Sequence, residues 1–394
     1  MTTARAIVSR APLNDGGWKI EDVKVRDVGD DELLVRIVAS GICHTDILFG
    51  GLKEGPGVMY PSVKGHEGAG YIEKIGKNVS VAAAGDPVLL SFTFCDSCQI
   101  CQAGHPAHCV RFGELNFGGC PCFHSSSSSH SSDSSTSSAS PSSSPSTPDL
   151  QGSFFGQSSF ASRTIVKATS VVNVRGLVRD DEELRLFSPL GCGIQTGSGT
   201  IVNVAQAGPQ DTVAVLGLGG VGLSAIMAAK LRGCKTIIGI DKMSDRESIA
   251  RQLGATHFID TSKLADLFDI VSAVQDVTDG YGTSVTVDTT GFLPLIERAM
   301  DFTRLKGKLI QVGSTPFDAK LDIQIFPFMV SGKQYIGAVE GDVVPAKYVP
   351  QMIEWYRAGK FPVEKLVKFY KADEWERAVE EMHSGHTVKA VITW

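Results

Sequence analysis

From the N-terminus to about Ser91, apolar and polar positions alternate in short runs such as Glu32 to Ala39 and Ala69 to Ile75, broken by Gly and Asp-Gly turns. A period of two with turn residues at its breaks predicts short, half-buried β-strands. From Asp211 the pattern changes. Apolar runs at Thr212 to Leu216, Thr236 to Ile240, Val285 to Asp288 and Lys308 to Val312 are separated by helix-period segments such as Leu223 to Leu231. Largely apolar strands alternating with helices predict βαβ units and a parallel sheet covered on both faces. After about Lys333 the chain is expected to leave that sheet. Tyr348 to Arg357 and Asp373 to Met382 predict amphipathic helices, and a last strand, Lys389 to Thr393, is expected to rejoin the first domain.

One stretch fits neither pattern. His124 to Pro148 is nearly all Ser, with a few Pro, Thr and Ala and nothing to bury in a core, so a disordered surface insert is expected there. The 394 residues suffice for two domains. A net charge of -6 leaves no basic surplus for phosphate backbones, which argues against a nucleic-acid partner and for a small-molecule one. No apolar run is long enough for a bilayer, and neither Met-Thr-Thr-Ala-Arg-Ala-Ile-Val at the start nor Val-Ile-Thr-Trp at the end carries a targeting signal. A cytoplasmic protein without a membrane partner is expected.

Four cysteines, Cys95, Cys98, Cys101 and Cys109, are spaced C-x2-C-x2-C-x7-C. Thiolates this close can turn onto one tetrahedral cation, and four sulfurs without an open position describe a structural zinc site. In a reducing compartment that reading outweighs a pair of disulfides. A closed site cannot hold a substrate, so any chemistry lies elsewhere. The nearby Cys120-Pro-Cys122-Phe-His124 offers further donors, but on a loop edge without a fixed fourth ligand. His105, His108 and Cys234 read as ordinary polar or turn residues.

Gly217-Leu-Gly219-Gly220-Val221-Gly222 follows the strand Thr212 to Leu216 and opens the helix from Leu223. In this context the first Gly permits the turn, the second lets a pyrophosphate approach the backbone, and the third lets helix and strand pack. The anion would lie on the helix N-terminus. Asp241 closes the next strand, where an acid binds ribose hydroxyls and repels a 2′-phosphate, so NAD is favoured over NADP; Lys242 softens that preference.

Cys43 in Gly-Ile-Cys-His-Thr-Asp, His66 in Gly-His-Glu-Gly-Ala-Gly and Cys192 in Gly-Cys-Gly-Ile-Gln-Thr-Gly are each unremarkable when taken singly. With the quartet and the glycine loop, however, the chain resembles the zinc-dependent medium-chain alcohol dehydrogenases over nearly its whole length. Gly-Cys-Gly-Ile-Gln-Thr-Gly and Gly-Ser-Phe-Phe-Gly-Gln-Ser-Ser-Phe look most like the benzyl and aryl-alcohol branch. The resemblance implies a β-rich GroES-like catalytic domain (1–188, structural lobe 95–109, insert 124–148), a doubly wound Rossmann domain (189–334), and a return to the catalytic domain (335–394). It implies two zincs per chain, the catalytic one held by Cys43, His66 and Cys192, a donor set that leaves a fourth position open. There zinc polarises an alcohol or carbonyl oxygen while hydride passes to or from nicotinamide.

By the same carry-over Asp46 orients His66, Thr45 contacts the substrate oxygen, Glu67 is a transient zinc ligand, and Val312, Ala338 and Lys389 lie near nicotinamide or pyrophosphate. His44 stands where relatives of the liver type have an arginine on the pyrophosphate. As a weaker, pH-dependent cation it implies looser cofactor binding and faster NADH release at higher pH. Leu48 stands where a relay histidine would be. The expected activity is interconversion of a primary aromatic or bulky alcohol with its aldehyde, in a homodimer or homotetramer joined through the Rossmann domain. Two rival readings keep the fold: a reductase of activated C=C or C=N bonds in specialised metabolism, and a dinucleotide-binding protein without catalysis.

Overall fold

The computed structural model describes residues 1–55, 57–126 and 148–394. The first part forms β1 (Thr2–Ser9), β2 (Trp18–Val25), β3 (Glu32–Gly41), β4 (Ser62–Val63), β5 (Glu67–Ile75), β6 (Pro87–Leu90), β7 (Cys120–Ser125), β8 (Leu150–Gly152), β9 (Arg163–Lys167) and β10 (Val171–Asn173). β1, β2, β7, β8 and β4 close into a small barrel packed with Val8, Trp18, Val23, Phe123 and Phe160. Closure removes sheet edges that would otherwise need cover. His124 and Ser125 are paired within β7, so ordered chain runs past the expected start of the insert at His124. The remainder of that insert, 127–147, lies outside the described residues.

The second part forms β11 (Thr212–Leu216), β12 (Thr236–Asp241), β13 (His257–Asp260), β14 (Thr283–Asp288), β15 (Thr303–Gln311) and β16 (Gln334–Gly337). They make a parallel sheet in the order β13-β12-β11-β14-β15-β16, the doubly wound order of a Rossmann fold. Two sequence boundaries differ from those expected. β15 begins at Thr303 rather than Lys308, and the sheet does not end at 334, because β16 pairs with β15 from Gln334 to Gly337. Both missed segments are mostly exposed, so they lack the apolar run that marks a buried strand.

The tail forms β17 (Val367–Lys371) and β18 (Lys389–Thr393), and β18 pairs antiparallel with β3. Long β3 thus carries β5 on one edge and both β9 and β18 on the other. One apolar core joins Val38, Ala69 and Phe92 of the first part to Val213, Val215 and Leu223 of the second. Among the described residues, no helix is long and apolar enough to cross a membrane.

The joint between the two sheets depends on a short, fully buried helix, Gly193–Gly199. A Cβ at Gly197 would lie 1.9 Å from the Val221 carbonyl oxygen on the helix Gly220–Leu231, so the two helices meet backbone to backbone. Gly197→Ala is expected to lower stability by about 1–3 kcal/mol through overpacking. Denaturant unfolding of the variant against the parent measures that loss.

Candidate active site

β3 ends at Gly41, and Cys43 caps the helix His44–Gly51 that follows, with its N–H donating to Asp46 Oδ2 at 3.0 Å. His66 directly precedes β5, and Cys192 precedes the helix Gly193–Gly199. These segments bring one donor atom each from Cys43, His66, Glu67 and Cys192 within 4.8 Å of one another. Asp46 is fully buried, and its Oδ1 accepts from Gly65 N–H (3.0 Å) and pairs with His66 Nδ1 (2.8 Å). That pairing fixes the ring and leaves Nε2 as the free donor atom. Nε2 is buried and has no hydrogen-bond partner among the described residues, a costly state that a cation in the cluster would relieve. A hydrogen bond from Cys192 holds the Cys43 thiol well below its ordinary range against burial, while the Cys192 thiol is pushed up. Two sulfurs sharing a proton are ready to exchange it for a metal. The donor set therefore fits zinc.

Behind the cluster Glu67 accepts from Lys389 Nζ at 2.8 and 3.0 Å and from Gly193 N–H at 3.1 Å. Burial pushes the Glu67 carboxyl up to about 7, with Lys389 opposing. Burial would lower the Lys389 amine, but Glu67 and Cys43 outweigh it and hold the amine above its ordinary value. Thr45 is half-buried in the first turn of its helix, and His44 and Leu48 are exposed on it.

Glu340 was not anticipated from the sequence. It is buried, and its Oε2 accepts from Gln195 Nε2 (2.9 Å) and Thr196 Oγ1 (3.3 Å), on the helix that Cys192 precedes. Burial pushes its carboxyl up. Glu340, Gly341 and Asp342 all have positive φ (50°, 66° and 50°), and such non-Gly conformations cost energy and cluster at functional sites. Its sequence neighbourhood, Val-Glu-Gly-Asp, reads only as a turn.

An aromatic wall faces His66. The Phe155 ring stacks on the imidazole at 4.4 Å between centroids, Phe154 meets it edge-on at 5.6 Å, and Phe49 and Phe117 pack against Phe154. Ser153, Phe155 and Ser158 have positive φ, so local backbone strain aims these rings.

At the parallel sheet, Gly217 has φ 82° and a Cβ there would meet Thr289 Oγ1 at 2.8 Å. At Gly222 a Cβ would lie 1.8 Å from the Gly217 carbonyl oxygen, whereas at Gly219 it would meet nothing within 4 Å. The tight turn and the close packing are thus both built, and the open face at Gly219 leaves room for a phosphate. Gly220 and Val221 begin the helix, and Lys389 Cε lies 3.3 Å from a Cβ position at Gly220. Asp241 ends β12, accepting from Leu218 N–H (2.6 Å) and Met243 N–H (2.9 Å), and Lys242 beside it is exposed. Arg246, also not anticipated, lies close enough for its charge to act on Asp241. Val312 and Ala338 follow the carboxyl ends of β15 and β16, the edge where such sheets bind ligands. These residues fit a nicotinamide dinucleotide.

The quartet of Cys95, Cys98, Cys101 and Cys109 forms a second grouping with donor atoms within 4.8 Å. Backbone N–H groups of Cys98, Cys101 and Cys95 donate to Cys95, Cys98 and Cys109 Sγ at 3.3, 3.5 and 3.4 Å, which favours thiolates. His105 is outside the sulfur cluster and pairs with Asp342 at 2.8 Å, tying the lobe to the turn that carries Glu340.

A doubly wound sheet with an open-faced glycine loop, set against a buried Cys-His-Cys cluster, defines a zinc-dependent, nicotinamide-dependent dehydrogenase. Comparison with known proteins agrees. A family model described as alcohol dehydrogenase GroES-like domain matches residues 29–175, and one described as zinc-binding dehydrogenase matches 220–358. The geraniol dehydrogenase of Castellaniella defragrans is 34% identical over 96% of this chain and 95% of its own. A probable S-(hydroxymethyl)glutathione dehydrogenase 1 of Schizosaccharomyces pombe is 33% identical over 95% and 93%. The crystal structure of benzyl alcohol dehydrogenase from Acinetobacter calcoaceticus superposes with a TM-score of 0.86, at 34% identity over 100% of this chain and 99% of that one. The chain belongs to the zinc-dependent alcohol dehydrogenases of the medium-chain family and interconverts alcohol and aldehyde. The C=C or C=N reductase and the non-catalytic reading are not favoured by these relatives.

Among the described residues, Asp46 is the carboxylate on His66 Nδ1. Asp46→Asn is expected to weaken zinc retention about 10–100-fold, as loss of a ligand's supporting carboxylate does. Zinc content after graded chelator competition, with circular dichroism as the folding control, measures this.

Proposed function

We propose that this dehydrogenase acts on primary alcohols carrying an aromatic or bulky apolar group, with NAD, and on the corresponding aldehydes. The observation that carries the reading is the wall of Phe154 and Phe155 against His66, which would pack a flat apolar substituent beside the reacting carbon. Relatives named for geraniol and benzyl alcohol support it. Cys43, His66 and Cys192 hold one zinc and the quartet holds another. The domain division expected from the sequence stands as part of this proposal, with the Rossmann unit extended to Gly337, and the protein works in the cytoplasm.

When bound, zinc supplies Lewis acidity to the substrate oxygen and nicotinamide accepts or returns hydride. The chain's own residues position and move protons. Asp46 holds His66 by Nδ1. Thr45 hydrogen-bonds the substrate oxygen and starts the proton's path. Gly219 admits the pyrophosphate, Asp241 takes the ribose hydroxyls, and Lys242 and Arg246 soften the preference for NAD. Lys389 lies between the glycine loop and Glu67, so it answers to both pyrophosphate and carboxylate. Glu67, held by Lys389, lies close enough to the cluster that it would serve as a transient ligand.

The test mixes purified protein with NAD or NADP and a panel of benzylic, allylic and aliphatic primary alcohols, following reduced nicotinamide by absorbance. Fastest turnover of benzylic or allylic alcohols with NAD is expected, with two zincs per chain by metal analysis. Turnover of short aliphatic alcohols alone would overturn the substrate reading. Phe154→Ala should raise KM for a benzylic alcohol about tenfold at unchanged zinc content.

The same proposal includes a homo-oligomer joined through the Rossmann sheet. Ile325, Phe326, Met329 and Val330 are exposed on the helix Ile325–Ser331 that leads into β16, whose outer edge pairs with no other described strand. An open edge beside an apolar patch fits a second copy of the same edge across a two-fold axis. Light scattering is expected to give a dimer or tetramer and, for Met329→Asp, a monomer. A monomeric parent would refute this interface.

A further inference from the structure

Neither metal grouping includes the thiols Cys120 and Cys122, whose placement on the barrel is unusual. Both lie on β7, and both sulfurs reach the same nitrogen, Arg26 Nη2, at 3.7 and 3.9 Å. Both sulfurs therefore face one cationic group. Cys122 is buried, whereas Cys120 is partly exposed.

The guanidinium is fixed from several sides. Arg26 Nε donates to Pro121 O (3.1 Å), its backbone N–H donates to Cys122 O (3.1 Å), and Nη1 and Nη2 donate to Glu32 at 2.7 and 3.0 Å. Lys167 Nζ donates to the same carboxylate at 2.7 Å. Two cations and one buried anion leave one positive charge in excess, and a single thiolate balances it. The Cys120 thiol is held down to about 5, first by the Cys122 hydrogen bond and then by Arg26 against burial.

We propose that Cys120 and Cys122 form a thiol–disulfide redox pair, with Cys120 as the attacking sulfur and Cys122 as the resolving one. The backbone allows the bond. Two strand residues at about 3.3 Å rise place the Cα atoms about 6.6 Å apart, within the roughly 4.4–6.8 Å that disulfides span. A register irregularity between Pro121 and Phe123 bends the strand at this point. A metal reading lacks ligands, since among the described residues no third donor joins this pair.

The oxidant is a hydroperoxide. The Cys120 thiolate attacks its outer oxygen, the S–O bond forms as the O–O bond breaks, and the departing oxyanion takes a proton from solvent. Cys122 sulfur then displaces the hydroxyl of the Cys120 sulfenic acid. The S–S bond forms, the Cys122 proton leaves with that hydroxyl as water, and two electrons have passed from the thiols to the peroxide. A dithiol reductant reverses the change by exchange.

The test treats the zinc-loaded full chain with hydrogen peroxide, blocks free thiols with iodoacetamide and maps peptides by mass spectrometry. The Cys120–Cys122 peptide should become resistant to alkylation before any quartet cysteine does, and should recover with dithiothreitol. Cys122→Ser should instead accumulate a sulfenic acid on Cys120 that a dione reagent labels. In the parent, Cys120 alkylation should stay nearly flat from pH 6 to 8, where an ordinary thiol gains about tenfold per unit. Arg26→Gln should restore that slope. If the peptide stays alkylatable after peroxide has oxidised other cysteines, or if Cys120 shows the ordinary slope in the parent, the pair is structural and the proposal fails.

Discussion

Cys192 can join the cluster of Cys43 and His66 only because the helix it precedes is wedged between the two sheets with little side chain in the way. Gly191 packs against the Leu90 carbonyl of β6, Gly193 against Glu67 and Lys389, and Gly197 against the Val221 carbonyl. The contacts at Gly191 and Gly197 would exclude a larger residue, and together they set where the Cys192 sulfur lies relative to the Cys43 sulfur and the His66 ring. The glycines therefore act on the metal site through backbone position. The same helix offers Gln195 and Thr196 to Glu340, so the turn after β16 is tied into the site by two further hydrogen bonds. Metal geometry, sheet docking and the conformation of that turn are consequences of one close-packed joint.

How legible this was in the sequence followed how local each feature is. The glycine loop could be read from Gly217, Gly219 and Gly222 alone, because its strand, turn and helix are contiguous and each glycine has its own steric reason. The quartet was readable for the same cause. The Cys43, His66 and Cys192 set was not derivable from spacing, since a single cysteine or histidine has ordinary explanations, and it entered only by family resemblance. The Glu67–Lys389 pair joins residues 322 positions apart. Glu340 left no signal, because its neighbours look like a surface turn and its burial is created by the tertiary fold. β16 was missed because an edge strand with exposed residues carries no apolar run.

Cysteine chemistry in this chain is set by what faces each sulfur. In the quartet, backbone N–H groups supply partial positive charge and four converging sulfurs leave no open coordination position. At the cluster of Cys43 and Cys192, an imidazole nitrogen completes the donor set and the fourth position stays open. At Cys120 and Cys122 the positive charge is a guanidinium, which favours a thiolate without binding it covalently. Identical side chains thus face three different sources of balancing charge: backbone amides at the quartet, the imidazole and a site fit for a metal at Cys43 and Cys192, and an arginine at Cys120 and Cys122.

The buried charges near the catalytic cluster also have to balance, since an unpaired charge away from water is costly. Two thiolates would offset one divalent cation, and Glu67 and Lys389 offset one another. Asp46 shares its charge among the Cys43 and Gly65 N–H groups and the His66 ring. Glu340 is the remaining acid. Gln195 and Thr196 donate to it, and burial pushes its carboxyl up against the Gln195 hydrogen bond. With these pairings, a site walled by phenylalanines carries three buried carboxyls and a lysine.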